Sequence, residues 1–579
     1  MVSFFRPEYH APRMNLKRIR ILSWVVVIVF GVILVRLFFV QVVAHGYYQG
    51  LADRQQMREV TEPVLRGEIY ARDRTAEQSD DLYPLAVNRT FYEVYLVPNK
   101  ITRPINTAQA LHDIVGVDYE IALARAKKEN DIYEPIYSRA TDEQIAALRA
   151  AGLEGIQWKE QILRYYPDGT IGSHVLGFYG IDGTRFVGRY GIEGYWENEL
   201  APPSEIMKFV RDANGERLPV DTGGSLAQRG SDIVLTIDRT IEYQACTILS
   251  KGVEKYGADK GSIIVMEPAT GRILALCNIP DFDPNQYNVV DDVSRFNDDA
   301  VFEAYEPGSV FKPIAMAVAL DLGLVKPNTT YQDTGEVKIA GFTIHNFDNR
   351  AHGLKTMTQV LQESLNTGIV FATGDVPNKT FYTYVKQFGF GQKTGITISQ
   401  EGAGSLGELA KHKDVFKATA SFGQGITVTA LQMISGINAL ANGGVLVKPY
   451  IVEAVRRPDG TALPHIPEPG VRVVKKETAD TATAMLVEVA DEGYDRKAAV
   501  PGYYLAGKTG TANVVEKGVY TQRTNHTFVG YGPAYDPKFT VLIRLNNAKN
   551  VGFASDSTTP LFNELARFLL SYYKISPSR

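Results

Sequence analysis

The chain has 579 residues, 61 Lys and Arg against 65 Asp and Glu, a formal net charge of −4 and 45% hydrophobic residues. At about 150 residues per domain the length sets a prior of about three or four domains. A mean hydropathy of −0.13 excludes a polytopic membrane protein, the missing basic excess argues against a dedicated nucleic-acid binder, and two cysteines exclude a disulfide scaffold or a multi-cysteine metal site.

The N-terminus departs from these averages. Arg6, Arg13, Lys17, Arg18 and Arg20 stand against one acid, Glu8. An apolar run follows from Ile21 to Val35 and resumes on both sides of Gln41, up to Val43. As a helix, 21–43 spans roughly 34 Å, enough to cross a bilayer. The flanking cations predict residues 1–20 in the cytoplasm and everything after 43 outside it. A cleaved signal peptide is the competing reading, with Val42-Val43-Ala44 as a loose cleavage site. Arg36 and the bulky pair Phe38-Phe39 favour an uncleaved anchor, with Arg36 snorkelling to the interface. No later segment is long and apolar enough to span again, so a single-pass topology is predicted.

Residues 44–65 are polar and helix-prone and predict a stalk. From Arg66 to about Val220 the pattern is mixed, with a strand at Tyr92–Val97 and a helix at 141–151. Breakers between Pro219 and Gly230 predict a boundary, giving a pedestal at 44–228 and a second domain at 229–579. There, 233–238 reads as a strand and 239–255 as a helix. Residues 262–267 and 272–277 form a hairpin across Pro268-Ala269-Thr270-Gly271. Strands are predicted at 504–512, 527–531 and 538–545, a closing helix at 559–573, and mostly helices between 308 and 445. Two strands, a helical block, three strands and a helix predict an α+β domain whose single sheet is assembled from both ends.

Metal chemistry has little support. His345 and His352 stand in a Gly/Asn/Asp-rich stretch that reads as a solvated loop, and no HExxH pair or phosphate loop is present. Cys246, in a predicted helix, and Cys277, in a predicted strand, are expected as buried free thiols, with a disulfide between them as the alternative. A serine–lysine pair is better supported. Pro307-Gly308 marks a turn, and the run after it is helical, which places Ser309 at a helix N-terminus and Lys312 one turn on along the same face. A serine hydroxyl needs a base to become nucleophilic, and a desolvated lysine can supply one. The second Ser-x-x-Lys, Ser571 to Lys574, lacks the preceding turn and reads as a surface helix pair. Ser364-Leu365-Asn366 can serve the same site only from a turn, because residues i and i+2 diverge on a helix. Lys393-Thr394-Gly395 reads as a structural glycine-rich loop. Lys508-Thr509-Gly510-Thr511 lies on a strand, where Gly510 permits close backbone approach and the cation and hydroxyls suit a carboxylate.

Ser-x-x-Lys, Ser-x-Asn and Lys-Thr-Gly in this order are the signature of serine β-lactamases and penicillin-binding proteins. Here they are separated by 55 and 144 residues. The chain resembles a class B penicillin-binding protein, a single-pass peptidoglycan D,D-transpeptidase, over nearly its whole length. Arg66–Asp73, Arg164–Pro167, Ser173–Gly177 and Gly191–Glu193 look like the family's non-catalytic motifs. Asp281–Asn285 and Ser421–Gly425, with Thr429 and Gln432, look like the catalytic domain of the division-type subgroup. The first motif departs at Ala71–Arg74, and Leu365 stands where many division-type members have serine.

The resemblance implies a transpeptidase domain like serine β-lactamases, a five-stranded antiparallel sheet with flanking helices. It implies Lys312 as base, Ser309 as nucleophile on a D-Ala-D-Ala donor, and Ser364 and Lys508 as proton relay. Asn366 would hold the donor peptide, Thr509, Gly510 and Thr511 would bind at its terminus, and the N–H groups of Ser309 and Thr511 would form the oxyanion hole. Neither metal nor organic cofactor is expected, and no nucleic acid. Expected partners are peptidoglycan stem peptides, β-lactams, and in the membrane a glycan polymerase of the shape–elongation–division–sporulation type with other divisome proteins. Localisation is expected at the bacterial cytoplasmic membrane, catalytic domain outside. The alternatives are an elongation-type enzyme, a β-lactamase, or a non-catalytic β-lactam receptor on the same fold. The anchor and pedestal argue against the lactamase.

Overall fold

The structure, a computed structural model, describes residues 16–44, 57–59, 65–72, 82–129, 131–183, 185–201, 208–211, 217–219, 229–493, 496–516 and 518–579. It divides into two units, 1–64 with 203–228, and 65–202 with 229–579. In the first unit, helix α1 (Leu16–Phe38) continues as a wider turn over Phe39–Val43. The segment Arg20–Val42 has a mean hydropathy of 2.8 and none of it is buried, so it is long and apolar enough to cross a membrane. Lys208–Arg211 pairs antiparallel with both Met57–Glu59 and Arg217–Pro219. The predicted helical stalk is therefore a strand at 57–59, where partner strands override local preference. Residues 45–56, 60–64 and the boundary stretch 220–228 lie outside the described residues.

The second unit begins with β1 (Ile69–Arg72), the long β2 (Leu82–Leu96), β3 (Glu134–Ala140), α2 (Asp142–Ala151) and β4 (Ile156–Tyr165). Thr141 and Gln144 close a capping box at the start of α2, and Gly152, in a left-handed conformation, ends it. The chain continues with β5 (Asp232–Asp238), α3 (Arg239–Tyr256), β6 (Lys260–Met266), β7 (Ile273–Ile279), α4 (Lys312–Asp321), α5 (Ala430–Ala441), β8 (Val452–Arg456), α6 (Lys476–Glu492), β9 (Ala506–Glu516), β10 (Val519–Gly532), β11 (Phe539–Asn546) and α7 (Thr558–Tyr572). Strand β5 runs parallel to β1 on one side and antiparallel to β8 on the other. One seven-stranded sheet thus joins residues on both sides of the predicted boundary.

The second sheet has the order β7-β6-β11-β10-β9, antiparallel throughout, as expected from the resemblance. Its central strands carry unbroken apolar runs, Ile263–Met266, Phe528–Val529 and Val541–Ile543, because both faces are covered there. Ile263, Val265, Phe528 and Ile543 pack with α3 and α7, while Ile264, Met266, Val529 and Leu542 pack with α4 and α5. The block at 308–445 is less helical than its pattern predicts. Thr330–Asp333 pairs with Gly353–Thr356, and Glu336–Ile339 pairs with Phe342–His345 across Ala340-Gly341. Both turn residues have positive φ, 50° and 87°, as a two-residue hairpin turn needs. These strands are four residues each, too short for a clear period of two. His345 ends one of them, and His352 lies between Asp348 and Glu363 rather than in a solvated loop.

The expectation of free thiols is corrected. Cys246 on α3 and Cys277 on β7 form a disulfide, with Cα atoms 5.4 Å apart. The helix packs directly over this strand, so two residues 31 apart in sequence face each other in one core cluster. Closing a loop of that length is worth about 3–4 kcal/mol by chain entropy. Reduced wild type and Cys246→Ser are both expected to lose stability on that scale, read as a lower urea midpoint.

The non-catalytic motifs converge on one buried ionic cluster. Glu193 is fully buried. Arg66 donates from Nε to its Oε2 (2.6 Å), and Arg164 donates from Nε to its Oε1 (2.7 Å). Tyr166 adds its hydroxyl to Oε1 at 3.1 Å and accepts the Tyr179 N–H at 2.8 Å. The arginines also tie down backbone: Arg164 Nη1 reaches the Gly67 carbonyl at 2.7 Å, and Arg66 Nη2 the Glu193 carbonyl at 3.0 Å. Burial opposes ionisation of Glu193, yet the charges of Arg164 and Arg66 hold its pKa below the ordinary value. The catalytic half docks beside it. Asn285 accepts the Tyr166 N–H at 3.0 Å and donates to its carbonyl at 2.9 Å, and buried His174 meets the Arg295 carbonyl at 3.0 Å. Of the first motif, Asp73 lies outside the described residues.

Candidate active site

Ser309 lies in a tight turn, Gly308–Phe311, that leads straight into α4. The helix proper starts at Lys312, slightly later than its pattern predicts. The turn is held on two sides. Gly308, at φ 59°, donates its N–H to the Gly423 carbonyl at 3.0 Å, and a Cβ on Gly423 would lie 2.2 Å from the Gly308 oxygen. On the other side a Cβ on Gly510 would lie 3.0 Å from the Val310 nitrogen. Gly510 therefore lets β9 pass against the serine turn itself, rather than only admitting a substrate backbone.

Lys312 is fully buried, and its Nζ donates to the Ser364 carbonyl and to Ser364 Oγ, the latter at 3.2 Å. Lys508 Nζ donates to the same Oγ at 3.0 Å and to the Thr509 carbonyl at 3.2 Å. Burial, and then the charge of Lys508, push the Lys312 pKa well below its ordinary value. Ser364 occupies the turn between helices Met357–Gln362 and Asn366–Ala372, at φ 57°, so the serine lies on a turn while Asn366 opens the next helix. Leu365 points into the main core and is fully buried, so the departure at this position does not touch the lysines.

The remaining predicted residues are placed less directly. Asn366 donates its amide to the His345 carbonyl at 3.0 Å. Thr511 Oγ1 accepts the Ala554 N–H at 3.1 Å, and Thr509 is buried. Both lie on β9, the sheet edge, with a strand partner on one side only among the described residues. The second Lys-Thr-Gly forms a loop closed on Glu401, which accepts the Thr394 hydroxyl at 2.6 Å and the Gly395 N–H at 3.0 Å. The second Ser-x-x-Lys is exposed at both ends.

The sequence reading missed a polar support beneath the Ser364 turn. Buried Asp333 accepts the Thr367 hydroxyl (2.6 Å), the Asn346 amide (2.9 Å) and the His352 N–H (2.8 Å). Burial opposes its ionisation, but these bonds hold its pKa below the ordinary value. The only signal was the Asn/Asp-rich composition near 346–350, which reads equally as a loop. Glu306 was also missed. Its two oxygens accept the Gly425 N–H at 2.9 Å and the Tyr520 hydroxyl at 3.0 Å.

A serine on a helix-leading turn, with a buried lysine of lowered pKa and a second lysine meeting on one hydroxyl, defines a site for serine acyl transfer. Comparison with known proteins agrees. The family described as penicillin binding protein transpeptidase domain matches residues 261–567, and the penicillin-binding protein dimerisation domain matches 61–235. Stage V sporulation protein D of Bacillus subtilis is 32% identical over 96% of this chain and 85% of its own length. The probable peptidoglycan D,D-transpeptidase PenA of Neisseria meningitidis serogroup A is 27% identical over 97% and 94%. Penicillin binding protein 3 of Mycobacterium tuberculosis, in a crystal structure complexed with aztreonam, matches with a TM-score of 0.66 and 26% identity over 90% of this chain and 98% of that one. This chain belongs to the class B penicillin-binding proteins, the serine D,D-transpeptidases that carry a dimerisation domain ahead of the catalytic one.

Proposed function

We propose that this chain cross-links stem peptides in septal peptidoglycan, with Ser309 as the acylated residue. The observation that carries the reading is the meeting of the Lys312 and Lys508 amines on Ser364 Oγ, beside the turn that bears Ser309. Neutral Lys312 takes the Ser309 proton, and Oγ attacks the penultimate D-Ala carbonyl. The C–N bond breaks, and the proton passes through Ser364 and Lys508 to the departing D-Ala amine. N–H groups of Ser309 and Thr511 stabilise the oxyanion, an effect worth about 2.7–4 kcal/mol per donor in such sites. Asn366, Thr509, Gly510 and Thr511 position the donor. The amine of a second stem then displaces Ser309 from the ester.

The organisation that goes with this reading is a cytoplasmic tail at 1–20, a membrane anchor at 21–43, a pedestal at 44–228 and a catalytic domain at 229–579 outside the cytoplasmic membrane. The cationic flank before the apolar helix supports the orientation. The Cys246–Cys277 disulfide supports an oxidising compartment. The anchor and pedestal serve a membrane glycan polymerase of the shape–elongation–division–sporulation type and other divisome proteins. The test is incubation with a fluorescent penicillin followed by peptide mapping. One stable adduct on the peptide bearing Ser309 is expected, with slow nitrocefin turnover. Rapid steady hydrolysis of nitrocefin would replace this reading with a β-lactamase. A fluorescent fusion is expected at midcell, and a dispersed wall signal would replace the septal role with an elongation role.

A further inference from the structure

Ser364 sits at φ 57°, a left-handed conformation in which the Cβ of an L-residue crowds its own backbone. Helices Met357–Gln362 and Asn366–Ala372 flank it. A right-handed residue at 364 would lead the first helix on towards the second and swing both serine oxygens away from Lys312 and Lys508. Such a conformation persists only where the surrounding structure over-determines it. The segment 330–356 supplies that structure on both sides of the turn. Before Ser364, Glu363 accepts the Lys355 ammonium at 2.5 Å. His352 stands between Glu363 and Asp348, one ring nitrogen 3.1 Å from each carboxylate. After Ser364, Asn366 donates to the His345 carbonyl at 3.0 Å, and the Thr367 N–H donates to Asn346 Oδ1 at 3.2 Å.

These supports converge on Asp333, which is 1% exposed. Its Oδ1 accepts the Thr367 hydroxyl at 2.6 Å and the Gly335 N–H at 3.2 Å, and its Oδ2 accepts the Asn346 amide at 2.9 Å and the His352 N–H at 2.8 Å. We propose that Asp333 is a positioning residue for acyl transfer: through Thr367, Asn346 and the His352 N–H, its carboxylate clamps the Ser364 turn in the left-handed conformation that presents a carbonyl and a hydroxyl to Lys312 and Lys508. The negative charge strengthens each bond of the clamp. An amide at 333 cannot replace it. Turned either way, its NH2 group would face donors. Asp333 acts through Thr367, three residues beyond Ser364, so its effect falls on where the relay hydroxyl sits.

The clamp has this role only if the transpeptidase reading holds, and the measurement separates the two. Full-length protein in detergent is mixed rapidly with a fluorescent penicillin over a range of concentrations, which resolves the binding constant before acylation from the acylation rate constant. Asp333→Asn is expected to slow acylation roughly 10²-fold, the scale of a small misplacement of a catalytic group, with the binding constant unchanged. Thr367→Val, which removes the hydroxyl and keeps the shape, is expected to slow the same step. Thr367→Ser, which keeps the hydroxyl, is expected to acylate at the wild-type rate. The double variant Asp333→Asn with Thr367→Val is expected to lose no more than Asp333→Asn alone, because both act on one turn. Melting of each variant is read first, and the two Thr367 variants carry the test if Asp333→Asn does not fold. Folded variants that acylate as wild type overturn the clamp. So does a loss confined to the binding constant, because Asp333 then serves the donor through Asn366 alone, and so does a double variant whose losses multiply. A wild type that forms no acyl-enzyme overturns the reading of the enzyme instead.

Discussion

Lys312→Met is expected to slow acylation by fluorescent penicillin roughly 10²–10⁴-fold, the usual contribution of a general base, while raising Tm. The two effects share one cause. Lys312 is buried beside Lys508, and its pKa is held well below 10.5. A folded-state pKa below the unfolded one means that unfolding takes up a proton at any pH between the two. Stability therefore rises with pH up to about 10.5 and is lost as pH falls towards the lowered folded value. Each pH unit of that window costs about 1.4 kcal/mol. Methionine removes this cost and leaves the Ser364 carbonyl without its donor, an opposing loss of about 1–3 kcal/mol. The gain in Tm is expected to grow as pH falls and to vanish near pH 10. In wild type the acylation rate should rise with pH through the lowered pKa and level off above it. A variant that acylates normally, or that melts lower than wild type at every pH, would show that the buried amine is structural.

The catalytic elements were legible in the sequence because each carries a local reason. Pro-Gly before an apolar helix places Ser309, and the demand that residues 364 and 366 share a site forces the turn found at Ser364. The sheet was legible because β6, β10 and β11 carry apolar runs where both faces are covered. What escaped depends on distant partners. The Cys246–Cys277 pairing follows from α3 lying over β7, which no spacing rule reports. The four-residue hairpin strands between 330 and 356 are too short to show a period. Strand β5 joins two domains through hydrogen bonds to β1 and β8, and its sequence alone cannot say which neighbours it has. Asp333 and Glu306 are single acids whose roles come from backbone N–H groups brought to them by folding.

The pedestal motifs were recognised by resemblance, with no physical reason for their residues until Arg66, Arg164 and Glu193 met in one cluster. That cluster makes the second large expectation. Glu193→Ala is expected to cost about 3–5 kcal/mol, because removing one member of a buried ionic group strands the other charges. The Arg164 guanidinium, 2% exposed, would lose its carboxylate, while Arg66, 4% exposed, would keep only its pair with Glu197 at 2.6 Å. Glu193→Gln keeps the hydrogen-bond acceptor but not the charge and should lose nearly as much. Replacing all three charges with apolar residues of similar volume should recover most of the loss, since a buried ion pair need not outperform packed hydrocarbon. The pH dependence has a fixed sign. The folded pKa of Glu193 lies below the ordinary 4.5, so its contribution is complete above about pH 4.5 and is lost as pH falls through the lowered value. Urea midpoints for wild type and Glu193→Ala should therefore differ most near neutral pH and converge in acid. The cluster touches neither Ser309 nor Lys312 and Lys508, so the fraction of Glu193→Ala that remains folded should acylate with penicillin at the wild-type rate. Equal loss of acylation per folded molecule would mean that the pedestal cluster transmits its geometry to the serine turn, through Asn285 and the loop that follows it.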